Sequence, residues 1–317
     1  MFSFFNFLQT IEGKLKRNKG LWFTTLSVVS ILGILISISV INIMTSDVSH
    51  KTYMQVHRVD TRQLENILDT KYNTLLSIGG VVALNQTIVK NIQSKSDQSI
   101  NDILKNTADT INEKVNVDPI NINYYATDFD AELSENSQYA ELVINSNTSV
   151  TGIVVNKKGV RLIAITPVLD NNITIGAIEI SQDVSSIKNE FEKLGKEFAF
   201  IVNKTQLVFM DLSAKQGNLQ DINDNYKIFF HNYSSQFYTN LTKVDFELLQ
   251  SEKYVINSRY YITSDEAVNI DGKPVGIFAI GEASENASSF VNITKNLINS
   301  VTTVALGLII SLILFMF

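Results

Sequence analysis

Two stretches of the chain drop the usual mixture of apolar and polar positions. Residues 20–46 carry no charge, and 21–44 within them are almost wholly apolar, rich in Ile, Val and Leu. Residues 296–317 are again uncharged and end in ALGLIISLILFMF. A helix rises about 1.5 Å per residue, so about 20 apolar residues cross a hydrocarbon core of about 30 Å. Both stretches predict transmembrane helices, over 21–44 and 297–317. The first exceeds the apolar run of about 7–15 residues found in signal peptides, and no small-x-small site follows Met44. It therefore reads as an uncleaved anchor.

Between the spans the period changes once. From 47 to about 115, Leu64, Leu68, Leu75, Ile78 and Val82 recur at steps of three, four and seven, one stripe of a long helix. Continuous with the first span as far as Ile78, that helix would reach about 50 Å beyond the membrane. Gly79-Gly80 predicts a kink or break. A second amphipathic stretch holds Ile88, Ile92, Ile100, Ile103, Leu104, Ile111 and Val115. A turn is expected near 94–99, with Ser96 or Asp97 as cap, and Pro119 closes the helical region.

After Pro119 the pattern is that of strands, rich in β-branched residues and separated by turn residues. The expected strands are 120–126, 150–156, 160–168 and 174–181, with 139–144 a short strand or a helical turn. Asn156-Lys157-Lys158-Gly159 and Asp170-Asn171-Asn172 form hairpin turns. Helical spacing returns over 183–196. A second set follows: strands 198–203 and 207–211 around a turn at 204–206, a helix at 243–250, then strands 254–257, 260–269 and 275–282. Asp271-Gly272 makes the last tight turn, and from Ala283 the pattern is helical into the second span. NNITIGAIEI, from Asn171, aligns without a gap on DGKPVGIFAI, from Asp271, so that Gly176 matches Gly276. Two similar α+β modules in series account for this; two unrelated hairpins are the simpler reading. A glycine inside a strand marks a bulge or a close backbone approach.

Charge orients the chain. Lys14, Lys16, Arg17 and Lys19 precede the first span against Glu12 alone. Basic flanks stay in the cytoplasm, which places residues 1–20 on the cytoplasmic side and 45–296 on the opposite, outer side of the membrane. Phe2, Phe4, Phe5, Phe7, Leu8 and Ile11 allow either a helix lying along the lipid interface or a disordered leader. Residues 45–297 hold 22 basic and 31 acidic residues, net −9 with His neutral. That disfavours nucleic acid as a partner. The chain has no cysteine, which excludes disulfides and thiol chemistry. It has no GxSxG, HExxH or Walker loop, and no acid–base pair is marked out, so neither an enzyme nor a cofactor is expected. His50 and His57 lie two helical turns, about 10 Å, apart, too far for one metal ion. With His231 remote, they read as surface histidines, and no metal site is expected.

Arg161 stands out in the apolar strand VRLIAITPV, on one face with Ile163 and Ile165. A buried guanidinium needs a partner. A ligand carboxylate suits its planar fork, and an ion pair with an acid such as Glu179, or snorkelling to water, is the structural alternative. Asn299, Ser300, Thr302 and Thr303 open the second span, as helix–helix contacts in a dimer or as interfacial residues.

The stretch VTGIVVNKKGVRLIAITPVLDNNITIGAIEISQDVSSI resembles the membrane-distal half of double Cache sensor domains of bacterial methyl-accepting chemotaxis proteins and sensor kinases. The shared features are a Gly-x-Arg-Leu strand running into Thr-Pro-Val, a turn, then Ile-Gly-x-Ile-Glu. GGVVALNQTIVKNIQSKSDQSINDILKNT is similar to the helix pair that precedes the first sheet in that family. The likeness covers 45–297 in layout and is specific over about forty residues. It implies an α+β fold of two PAS-like Cache modules with antiparallel sheets, 45–196 distal and 197–296 proximal, behind a long N-terminal helix and flanked by two transmembrane helices. It also implies a homodimer whose outer part binds a small extracellular metabolite, such as an organic acid or amino acid, and shifts the helices entering the membrane. Tyr124, Tyr125 and Tyr139 lie where family pockets recruit contacts, with plain packing as the alternative. Arg259, Tyr260 and Tyr261 are the corresponding cluster of the second module and read as exposed sheet residues. Receptors of this type continue into a HAMP linker and a signalling coiled coil, whereas this sequence stops at Phe317. The expectation is a fragment of a split receptor or a stand-alone sensor acting through partner helices. A membrane-anchored adaptor whose outer domain binds a protein is the alternative of another class.

Overall fold

The computed structural model describes residues 19–94, 97–115, 117–127, 136–211, 219–229 and 235–315. The apolar leader with Lys14, Lys16 and Arg17, the capping position Ser96, and His231 lie outside the described residues. The chain forms two compact units, Met54–Ala287 and a second made of Met1–Tyr53 with Ser288–Phe317.

The second unit is built from parts of two helices, α1 (Lys19–Ala83) and α8 (Ser284–Phe315). Among the described residues, α1 is long and apolar enough to cross a membrane, by length and composition. Ile36 and Ile43 of α1 and Leu297 and Val301 of α8 are exposed. A groove of about 490 Å³ runs between Ile36, Val40 and Ile41 of α1 and Leu297, Val301 and Leu306 of α8. Ser300, Thr302 and Thr303 each donate to the carbonyl four residues earlier, so their hydroxyls are satisfied within α8 itself.

In the unit Met54–Ala287, α1 passes Gly79 and Gly80 without a break and ends at Ala83. A helical glycine costs about 1 kcal/mol yet keeps its backbone hydrogen bonds, so it need not interrupt a helix that is packed. Gly79 is buried, and a Cβ there would stand 3.0 Å from Thr166 Oγ1. The glycine lets the sheet approach. The break comes at Asn85, whose side chain accepts from the Thr87 amide and caps α2 (Gln86–Gln93). After α3 (Asp97–Lys114), Asn112 both accepts from the Ile120 amide and donates to the Ile120 carbonyl, fixing the entry to the first strand.

The first sheet has β1 (Ile120–Ala126), β2 (Val150–Asn156), β3 (Gly159–Asp170) and β4 (Ile173–Asp183), in the order β1-β4-β3-β2. The segment 139–144 lies in a helix, α4 (Ser137–Ser146), and α5 (Ser186–Lys193) follows β4. The second sheet has β5 (Glu197–Asn203), β6 (Leu219–Asp221), β7 (Tyr226–Phe229), β8 (Tyr254–Ile256), β9 (Tyr260–Val268) and β10 (Pro274–Ala283), in the order β6-β7-β5-β10-β9-β8. All pairs in both sheets are antiparallel. Two short helices, α6 (Ser235–Leu241) and α7 (Phe246–Glu252), precede β8. The run 207–211 is not a strand. A 3-10 turn, Lys204–Phe209, replaces it, because the Asn203 side chain accepts from both the amide and the hydroxyl of Thr205 and curls the chain.

The two sheets share one circuit. In each, the opening strand (β1, β5) lies beside the closing strand (β4, β10), and the two hairpin strands follow outward. Gly176 and Gly276 occupy the same step of that circuit. Gly176 pairs with Ala126 and Val168, and Gly276 with Val202 and Ala267. A register shift adjoins each glycine on its own strand, where Ile175 is the extra residue between Thr174 and Gly176 and Val275 the one between Pro274 and Gly276. A Cβ on Gly176 would stand 2.7 Å from the Tyr125 carbonyl oxygen, and one on Gly276 2.3 Å from that of Ile201. Both glycines therefore mark a bulge and a close approach together.

One continuous core joins α1, α2 and α3 to the inner faces of both sheets, from Leu64, Leu75 and Ile88 through Leu162 and Ile180 to Phe198, Phe200 and Phe278. The outer face of the second sheet packs under Phe237, Leu241, Phe246 and Leu249 of α6 and α7. The outer face of the first sheet is covered by α4 through Tyr139, Ala140 and Val143.

Candidate functional site

That outer face of the first sheet buries two opposite charges, Glu179 and Arg161. Strand alternation and register bring Tyr125, Asn123, Glu179, Ser181, Asp183, Arg161, Ile163 and Ile165 to one side. Glu179 is 1% exposed, in the middle of an apolar strand. Three donors hold it: Tyr125 hydroxyl at 2.8 Å, Asn136 Nδ2 at 2.9 Å and Asn123 Nδ2 at 3.0 Å. Arg161 is 8% exposed, and its Nη1 lies 3.6 Å from Asp183 Oδ2. The ion-pair partner of Arg161 is thus its cross-strand neighbour Asp183, and Glu179 lies across from Ile165 instead.

Tyr139 projects from α4 onto this face and donates to Asp271 Oδ2 at 2.9 Å. Burial, and then its bond to the carboxylate of Asp271, push the phenol up to about 12. Asp271 belongs to the β9–β10 turn, which seats on the first sheet. Asn269 makes a parallel bridge to Ile153, and Ile270 fills the notch left by Gly152, with Cγ1 2.5 Å from where a Cβ would be. Asn269 shapes the turn by accepting from the amides of Asp271 and Lys273. Beside the seat lies an open cleft of about 470 Å³, lined in part by Asn136, Tyr139, Asn156 and Asp271.

Of the residues singled out in the sequence, Arg161, Tyr125 and Tyr139 come together on this face. Tyr124 does not. Neighbours on a strand point to opposite sides, and Tyr124 packs in the core, its hydroxyl donating to the Ile175 carbonyl at 3.3 Å. Tyr261 is wholly buried and Tyr260 half-buried, the latter ring 5.3 Å from Phe237; only Arg259 is exposed as expected of that cluster. Burial, and next the charge of Asp60, hold the Tyr261 phenol far above its usual range. His50 is exposed, whereas His57 is half-buried with Nδ1 2.5 Å from Thr263 Oγ1. That hydroxyl donates to the Lys253 carbonyl, so it accepts from the imidazole. Asn123 and Asn136 were not singled out in the sequence, and Asp271 only as a turn residue. Glu179 had a signal, a lone acid among Ile and Ala at β-alternation. No group of three His, Asp or Glu among the described residues is placed to hold a metal ion.

No protein-family model matches the chain, and no curated protein matches it in sequence. Several solved structures overlap it loosely. The Vibrio cholerae histidine kinase DctB sensor domain is 12% identical with a TM-score of 0.37, over 73% of this chain and 98% of that one. The ligand-binding domain of the Pseudomonas fluorescens chemoreceptor CtaA, solved with L-isoleucine, is 12% identical at 0.40, over 78% and 98%. That of the Campylobacter jejuni chemoreceptor Tlp3, solved with L-valine, is 9% identical at 0.41, over 77% and 96%. Overlaps this loose set no correspondence between residues, and the architecture stands on the strand pairing itself.

Proposed function

We propose that this chain is the sensing part of a transmembrane signal transducer, binding a small metabolite on the outer face of its first sheet. The observation that carries this reading is the burial of Arg161 and Glu179 on that face, beside Tyr125 and Tyr139. Well-packed apolar side chains are as stable as buried ion pairs or more so. The opposite face of the same sheet is filled by Leu162, Ala164, Ile178 and Ile180, so an apolar solution was open to the outer face too. Opposite charges held ready by internal partners are what recognition of a polar metabolite requires. The reading takes the two sheets as PAS-like Cache modules, in keeping with the resemblance over 150–187 and with their shared circuit.

In this reading 21–44 and 297–317 span the inner membrane, residues 1–20 are cytoplasmic, and 45–296 are periplasmic in a homodimer. β10 leads without a linker into α8, so movement of the sheet shifts the helix entering the membrane. No catalytic step is assigned. The test is a thermal-unfolding screen of the full chain in detergent against organic acids, amino acids and amines. A ligand at 100 times its Kd stabilises by about 2.7 kcal/mol, an upward shift of about 5–10 °C for a unit of this size. A panel that shifts nothing would sink the sensor reading, and specific recovery of one periplasmic protein would then favour the adaptor.

A further inference from the structure

Where α1 meets the second sheet, charge interrupts the apolar core. Asp60 of α1 is fully buried. Its Oδ1 accepts from Lys196, in the link between α5 and β5, and its Oδ2 has no hydrogen-bond partner among the described residues. Lys196 also reaches Glu282, near the end of β10, at 3.4 Å, and Gln63 Oε1 at 3.4 Å. The side chains of Asp60, Lys196 and Glu282 are 0%, 13% and 18% exposed. Two carboxylates thus share one ammonium inside the unit Met54–Ala287.

The other described groups around Asp60 bring no second positive charge. Tyr261 of β9 is the cross-strand partner of Glu282, and its phenol, held far above the usual range by burial and next by Asp60, stays neutral. Tyr254 of β8 stacks on Tyr261. His57, one turn before Asp60 on α1, is turned to Thr263, and burial lowers its pKa, so the imidazole is neutral near pH 7. The charges of Asp265, Lys253 and Arg58 act on His57. A buried charge without a match is costly, and a proton removes it. Burial raises the pKa of Asp60 despite Lys196, and the charge of Glu282 adds to the rise.

We propose that this cluster is a proton-binding site. Asp60 takes one proton from bulk water, which leaves Lys196 and Glu282 as a balanced pair. Without that proton the cluster carries one net negative charge inside the core. It ties α1 to β10, and β10 runs directly into α8. The proton-loaded form is the tighter one. Its advantage is fully present below the unfolded carboxylate value of about 4 and is lost as pH rises through the folded value of Asp60. The chain thus takes pH as an input apart from the metabolite face, and this input needs no metabolite bound there.

The test is an NMR titration of the full chain in detergent, labelled with carbon-13 at the aspartate carboxyl carbons. The Asp60 resonance is the one missing from Asp60→Asn, or from Asp60→Glu should the asparagine variant not fold. It is expected to titrate at least one pH unit above about 4, a proton held at least tenfold more tightly than by an ordinary aspartate. Glu282→Gln should bring that midpoint down, and Glu179→Gln should leave it in place. Amide hydrogen exchange over β10, corrected for the intrinsic effect of pH, supplies a second readout. Protection should fall as pH rises through the Asp60 midpoint in the wild type and stay level in Asp60→Asn. A midpoint at or below about 4 would make the cluster a structural ion triad and overturn the site. So would an unmoved midpoint in Glu282→Gln, or an equal fall in protection in Asp60→Asn. None of these results bears on the metabolite screen, and a screen that shifts nothing leaves the proton site standing.

Discussion

Gly276→Ala offers a sharp test of the repeat. Gly276 lies in β10 between Val202 and Ala267, and an ideal Cβ there stands 2.3 Å from the Ile201 carbonyl oxygen and 2.8 Å from Phe200 Cζ. The Phe200 ring can give, but the carbonyl belongs to a paired central strand and cannot move without disturbing β5. Overpacking of this kind costs about 1–3 kcal/mol, and a backbone obstacle places it near the top of that range. Alanine recovers about 0.5–1 kcal/mol through lower entropy of the unfolded chain. The net loss is about 2 kcal/mol, which lowers Tm by about 4–8 °C. Gly80→Ala is the internal control. No atom lies within 4 Å of its Cβ position in α1, so the variant should gain close to the helical propensity difference of about 1 kcal/mol, a rise of about 2–4 °C. The assay is thermal unfolding of the full chain in detergent followed by far-UV circular dichroism. Gly176→Ala, against the Tyr125 carbonyl at 2.7 Å, should fall with Gly276→Ala. A Gly276→Ala protein that melts at or above the wild type would refute the close approach, and with it the equivalence of the two strands.

Two further predictions concern buried titratable groups. Asp60 is fully buried, bonded to Lys196 through Oδ1, with Oδ2 lacking a hydrogen bond; Glu282 shares Lys196 at 3.4 Å. Burial raises its pKa despite Lys196, so its contribution to stability is present below the unfolded value of about 4 and is lost as pH rises through the folded value. Asp60→Asn should therefore gain on the wild type in melts taken from pH 4 to pH 7, and a loss of ground over that range would mean that the Lys196 partnership outweighs burial. Tyr139→Phe removes the bond to Asp271, worth about 1 kcal/mol or about 2–4 °C at pH 7. Because the phenol is pushed up to about 12, the wild type loses this advantage between pH 10 and 12, and the gap to the variant should close there; a gap that widens would contradict the assignment.

Much of the first sheet could be read from the residues. Asn171-Asn172, both at positive φ, and Gly159 stand at turns that the hairpin pattern placed correctly. Strand ends moved by a residue or two, as edges do when pairing rather than composition sets them. The gapless alignment of Gly176 on Gly276 held structural meaning because both answer the same steric need. Less could be read where tertiary contacts override local preference. Gly79 looks like a breaker and is a contact point. The run 207–209 is apolar and β-prone, yet Asn203 turns it into a 3-10 helix. Residues 219–241 hold two short strands and a helix that periodicity did not reveal, since elements of three to seven residues are too short to show a period. At the site, alternation placed Arg161 correctly beside Ile163 and Ile165. It also separates Tyr124 from Tyr125, although sequence proximity groups them. Asp271 was beyond reach, because it arrives from a turn 132 residues away from Tyr139.

The central claim is that the outer face of the first sheet binds a small polar metabolite through Glu179 and its neighbours. Its most direct test is a calorimetric titration of the strongest stabiliser from the screen into the wild-type chain and into Glu179→Gln, a near-isosteric change that removes the charge. The account predicts saturable binding at one site per chain in the wild type and affinity at least tenfold weaker in the variant, with circular dichroism unchanged. Equal affinity in the two proteins would contradict it.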